Sequence, residues 1–296
     1  MNKKNLLLTI FAYIIWGFLP LYWVLLNQFN AFFILANRII WCGLMTIALL
    51  AIKKQFSQYL AVFKNKIVLR QLVVASLLIT ANWGIFIWGV TSQKVLEVAI
   101  GYYLTPLFLC FGGILFFKEK GSATDISALL LATCGFVISQ YKYGSFPFFA
   151  LSLSLSFSAY SLVKKKIHVD ALLAVAVEST LMFIPALLYC IFAPEQLAML
   201  TNHPTLIFLL VGAGAVTALP MVLFSIGVNN LPMIVVGFIE YLAPCINLFV
   251  GAVLLHEALG ADKILHFAFI WVALLIFTLG TIHKEKKARL AALTPQ

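Results

Sequence analysis

Charge is scarce in this chain: Asp, Glu, Lys and Arg make up only 10% of its 296 residues, against about 25% in an average soluble domain. Apolar residues reach 63%, where roughly 45–50% is usual, and no soluble interior is large enough to hide that much hydrocarbon. Aspartate is confined to Asp125, Asp170 and Asp262, near the ends of apolar runs, so no acid–base pair stands at one depth. Cys42, Cys110, Cys134, Cys190 and Cys245 lie singly inside apolar stretches without C-x-x-C spacing and read as small core residues. H-E-x-x-H, G-x-x-x-x-G-K and G-x-S-x-G are absent, which removes the zinc-protease, P-loop and nucleophile-elbow chemistries. The histidines scatter mostly through connections, and neither a metal nor a cofactor is expected. A net charge of +10 does not indicate nucleic acid, because the basic residues form short clusters between apolar runs with no interleaved aromatics.

What is present is hydrocarbon in membrane-length pieces. A spanning helix needs about 20 predominantly apolar residues, and ten such runs are found at 6–26, 31–52, 69–92, 95–117, 123–140, 146–163, 171–192, 205–228, 232–255 and 264–282. The first run is longer than a signal-peptide core, contains Trp16 and Pro20, and lacks an A-x-A site, so it reads as a span. Connections are short, and only 53–68 and 193–204 are long enough for loop structure. Sixteen Lys and Arg residues, including Lys164, Lys165 and Lys166, fall in one set of alternate connections and three in the other, Lys94, Lys142 and Lys263. Short basic loops stay cytoplasmic, so both termini are expected there.

The chain also repeats itself. Shifting it by 138 residues aligns 75–123 with 213–261 without a gap, pairing Phe86 with Phe224, Tyr103 with Tyr241, Pro106 with Pro244, Gly113 with Gly251 and Glu119 with Glu257. Five spans per half is an odd number, so the second copy enters the membrane upside down, the plan of many secondary transporters. The expected fold is therefore an all-α integral membrane protein of ten transmembrane helices in two inverted five-helix repeats, 1–142 and 143–285, with a cytoplasmic tail at 286–296.

Pro106 and Pro244 fall mid-span, where each frees the carbonyl four residues earlier, those of Tyr102 and Glu240. Backbone freed at membrane depth must face protein, water or a ligand, so the paired kinks mark a candidate binding region. Charges inside spans are sharper, since each costs about 2.5–3.5 kcal/mol to insert at a helix centre. Arg38, Glu97, Glu178 and Glu240 qualify. An offset of 140 pairs Arg38 with Glu178, either as a neutralising ion pair or as a charged cavity wall. Glu240 is a candidate for binding a cation or proton and could couple transport to protons. Trp16, Trp83, Tyr103 and Tyr241 are the aromatics expected to line a pocket. Asn82 and Asn247 are amides that offer hydrogen bonds to a ligand or to a neighbouring helix.

At these residues the chain resembles the EamA-type proteins of the drug/metabolite transporter superfamily, most closely the RarD group. The resemblance rests on Tyr13-x-x-Trp16-Gly17, Arg38-Ile39-Ile40-Trp41, Asn82-Trp83, Leu96-Glu97-x-x-x-Gly101-Tyr102 leading to Pro106, Lys164-Lys165-Lys166 and 267–274, and it covers nearly the whole chain. It implies ten helices around a central cavity, alternating access, and a small-molecule metabolite or drug as substrate, moved across a bacterial inner membrane. A passive facilitator or lipid flippase would share the plan; a membrane enzyme or scaffold fits the residues less well.

Overall fold

The computed structural model describes residues 3–143, 148–258, 260, 264, 268–269, 271–273 and 275–280. Among them every regular element is helical. In chain order they are α1 (Lys3–Val24), α2 (Ala31–Ile52), α3 (Phe56–Lys64), α4 (Lys66–Thr91), α5 (Val95–Tyr102), α6 (Thr105–Phe117), α7 (Ala123–Tyr143), α8 (Phe148–Lys165), α9 (Ala171–Ile191), α10 (Pro194–Asn202), α11 (Leu206–Asn230), α12 (Met233–Glu240) and α13 (Leu242–Phe249), the last running on as a π-helical turn at Val250–Leu254. Seven of these helices or helix pairs are long and apolar enough to cross a membrane: α1, α2, α4, α5–α6, α9, α11, and α12 with α13 and the turn.

The two long connections hold short helices, α3 and α10, rather than loops. Asn65 then caps α4 by accepting from the Val68 amide at 3.2 Å. Of the apolar run expected at 264–282, residues 264, 268–269, 271–273 and 275–280 are described and helical, while the tail at 286–296 lies outside the described residues.

Polar caps set the helix starts. Asn30 accepts from the Phe33 amide at 2.8 Å and opens α2, while Asp170 accepts from the Leu172 and Leu173 amides at 2.9 and 3.3 Å and opens α9. Each satisfies amides that the first helical turn leaves without a partner. The helices α2 and α9 then pack along one another, with α11 against α2 and α1 against α11.

Composition also explains why α8 is not among the seven. Ser152, Ser154, Ser156, Ser158 and Ser161 dilute its hydropathy, yet α4, α5 and α6 pack around it. Four of these hydroxyls donate to the carbonyl one turn earlier, at 2.6–2.8 Å, and so enter the interior already satisfied.

The runs that carry Pro106 and Pro244 are both broken, whereas α1, α9 and α11 run on through Pro20, Pro185 and Pro220. Helix α5 ends at Tyr102 and α6 restarts at Thr105, with Pro106 in its first turn. Helix α12 ends at Glu240, and α13 restarts at Leu242 with Pro244. The two broken segments lie against each other, α6 on α12 and α13 on α5. A carboxylate closes each contact. Glu119 accepts from the Met233 and Ile234 amides at 2.7 and 3.0 Å, capping α12. Glu257 accepts from the Val95 and Leu96 amides at 2.8 and 2.9 Å, capping α5. The residues before them, Lys118 and His256, both have left-handed backbone, φ 54° and 56°, and the Glu119 and Glu257 amides reach back to the Gly113 and Gly251 carbonyls at 3.1 and 2.9 Å. Those glycines are needed for clearance: a Cβ on Gly113 would lie 3.1 Å from Met233, and one on Gly251 3.0 Å from Leu96.

Candidate functional site

The helix breaks border an internal cavity with a volume of about 50 Å³. Helix α1 presents Tyr13, Trp16 and Leu19, three residues apart and hence on one face. Helix α2 supplies Arg38, and α4 supplies Asn82, Trp83 and Phe86. Tyr102 and Glu240 enter from the ends of α5 and α12, at equivalent places before the two prolines, with Pro244 and Asn247 completing the wall.

Arg38 is 1% exposed. Its Nε donates to Thr217 Oγ1 at 2.9 Å, and its guanidinium carbon lies 3.9 Å from the Trp83 ring centroid and 5.0 Å from that of Trp23. Aromatic faces attract a cation but do not neutralise it. Its Nη1 has no hydrogen-bond partner among the described residues. The expected pairing with Glu178 does not form. Glu178 instead accepts from Lys164 Nζ at 2.5 Å and from the Tyr160 hydroxyl at 3.3 Å, because its face of α9 looks towards α8 and the Arg38 face of α2 does not.

Glu240 is 2% exposed. The Thr105 and Tyr13 hydroxyls lie beside it, and Glu240 Oε2, both hydroxyl oxygens and Asn247 Oδ1 lack a hydrogen bond of standard geometry among the described residues. Buried polar atoms are nearly always paired, so this wall is primed to receive hydrogen bonds. Asn82 is the contrary case. It donates to the Leu153 carbonyl at 3.0 Å and Ser156 Oγ at 3.1 Å and accepts from the Tyr102 hydroxyl at 2.9 Å, which ties α4 to α8 and α5.

Of the residues singled out from sequence, Trp16, Arg38, Asn82, Trp83, Glu240, Pro244 and Asn247 meet at the cavity. Tyr103 and Tyr241 do not line it. Their rings lie 5.9 Å apart in an apolar cluster with Phe238 where α5–α6 meets α12–α13. Pro106 sits behind the wall, its carbonyl facing Gly237. Glu97 is about half exposed, 3.7 Å from Lys94, on a separate surface vestibule that also includes His256 and Glu257.

Sequence reading missed Lys164, which was counted with the basic loop cluster but is fully buried. The signal was there: Lys164 lies one turn beyond Tyr160 and Ser161 on the buried stripe of α8. Its neighbours are also held, Lys165 donating to the Leu231 carbonyl and Lys166 lying 5.6 Å from the Phe116 ring.

The model of the EamA-like transporter family matches residues 3–140. The uncharacterized transporter YojE of Bacillus subtilis is 38% identical, over 97% of each chain. Protein RarD of Salmonella typhi is 35% identical, over 97% of this chain and 98% of that one, and Protein RarD of Escherichia coli K12 is 34% identical over 97% of each. A solved crystal structure aligns with a TM-score of 0.64 at 16% identity, over 93% of this chain and 97% of that chain, a likeness of fold alone. Family model and near-full-length relatives agree: the chain belongs to the EamA-like transporter family, with RarD proteins among its relatives, and is a membrane transporter rather than an enzyme.

Proposed function

We propose that the protein is a secondary transporter that moves a small organic metabolite or drug across the bacterial inner membrane by alternating access. In this reading ten helices form two inverted repeats, 1–142 and 143–285, with both termini and the tail at 286–296 in the cytoplasm. Supporting it are the paired helix breaks and the reciprocal glutamate caps, whose matching members, Glu119 with Glu257 and Val95 with Met233, stand 138 residues apart in sequence.

One observation carries the reading. A buried cation and a buried carboxylate, Arg38 and Glu240, line one cavity and each keeps a polar atom without a protein partner. Intramembrane charges are expensive and mark solute pathways. Trp16, Trp83 and Tyr102 would pack a flat solute, Arg38 Nη1 would donate to it, and Glu240 would accept from it or carry a proton. At about 50 Å³ the cavity holds only a few waters, so solute binding requires an opened conformation and the present one is near-occluded.

Uptake into proteoliposomes from a library of radiolabelled metabolites and drugs, chloramphenicol included, with and without a pH gradient, tests this. Saturable uptake of at least one solute, lost in Arg38→Met, is expected. A folded protein that moves none of them sinks the proposal.

A further inference from the structure

We infer that the surface vestibule beside Glu97 is the outer mouth of the translocation path, and that Glu257 and Glu119 are the gate residues at its two ends. This rests on the transport reading above.

The vestibule has a volume of about 430 Å³ and is lined by Val24, Val90, Lys94, Leu96, His256 and Glu257. The central cavity reaches Leu19 on α1 and Phe86 on α4. From one space to the other is five residue steps along α1, Leu19 to Val24, and four along α4, Phe86 to Val90, about 6–8 Å of helix. In the other direction α1 continues from Tyr13 to Lys3 and α4 from Asn82 to Lys66, about 15 and 24 Å. The barrier on the vestibule side is thus about a single turn thick.

Glu257 stands in this thin barrier. It lines the vestibule and holds the Val95 and Leu96 amides, fixing the start of α5, whose far end carries Tyr102 into the cavity wall. Moving α5 aside to open the cavity must break those two bonds. Glu119 holds the start of α12 in the same way, and α12 ends at Glu240 in the opposite wall. Beside this second clasp, Lys165 fastens the Leu231 carbonyl. Each gate is therefore a carboxylate at the end of one broken span gripping the first turn of the other. A charged acceptor on helix N-terminal amides is strong enough to hold yet leaves nothing covalent to undo. Both clasps are closed here, in keeping with the small cavity.

A gate that works by alternation differs from a fixed brace in one measurable way: loosening one end must tighten the other. Hydrogen–deuterium exchange of the full chain in lipid nanodiscs reads this without any solute. E257Q keeps the shape but loses one accepted bond and the charge. Amides at 95–98 should exchange roughly tenfold faster, as expected for one lost charge-assisted bond, while amides at 233–236 slow. E119Q should give the mirror result. H256G, which relieves a left-handed non-glycine residue and leaves Glu257 in place, should slow 95–98 and speed 233–236, so the test survives if a glutamate variant folds poorly. Purely local increases, or no change at the far end in any variant, overturn the gate assignment. Solute uptake by the same variants reconstituted into proteoliposomes, read separately, tells that failure from failure of the transport reading.

Discussion

Lys164 and Glu178 meet at 2.5 Å with side chains 1% and 4% exposed, joining α8 to α9. A buried ion pair contributes little net stability relative to a well-packed apolar pair, but loss of one partner leaves an uncompensated charge costing about 3–5 kcal/mol. K164M and E178L should each lower thermal stability in detergent by that order. The double variant K164M/E178L should recover most of it, and additive losses would show that the two residues act separately.

Arg38 obeys the opposite arithmetic, since no carboxylate pairs with it among the described residues. R38M removes a cation costing about 2.5–3.5 kcal/mol to place at mid-membrane, so thermal stability should hold or rise while solute uptake falls to background. R38K keeps the charge but not the planar group stacked on Trp83, and its uptake should fall as well. Full uptake by R38M would remove Arg38 from the site.

Glu240 is the one cavity carboxylate. If it carries the coupled proton, E240Q should still move solute down its gradient yet show no acceleration when a pH gradient is imposed. Uptake by E240Q that still responds to the gradient would assign the coupling elsewhere.

Pro106 and Pro244 keep α5–α6 and α12–α13 from running as continuous helices. P106A and P244A should rejoin them with little change in stability, because a proline is tolerated in a first helical turn and alanine restores the amide a continuous helix needs. Turnover should slow on the order of tenfold, about 1.4 kcal/mol of barrier, since two short segments can no longer pivot separately. Unchanged turnover would make the breaks incidental to motion.

How much was legible beforehand divides along physical lines. Runs of hydrocarbon and mid-run prolines are local signals, and α1, α2, α9 and both breaks fall where they indicate. Side-chain partners are not local. Arg38 and Glu178 were paired by sequence offset, but which face of a helix a charge occupies depends on packing angles, and Glu178 found Lys164 instead. Lys164 was masked by the two lysines after it. Tyr103 and Tyr241 were chosen for the pocket over Tyr102, yet one residue turns a helical side chain by about 100°, which puts Tyr102 in the cavity wall and the other two in the contact between the broken spans. Glu119 and Glu257 were visible only as a repeat match. The amides they hold lie 114 and 162 residues away.

The serines of α8 have a mechanical consequence. Hydroxyls turned back onto their own helix form no lasting ties to neighbours. Apart from Asn82 on the Leu153 carbonyl and Ser156, and a long bond from Ser158 to the Thr105 carbonyl, the flank of α8 is held by shape, with Phe149, Leu153 and Leu162 seated over Gly89, Gly101 and Gly112, so any motion of α8 carries α4, α5 and α6 with it as one block.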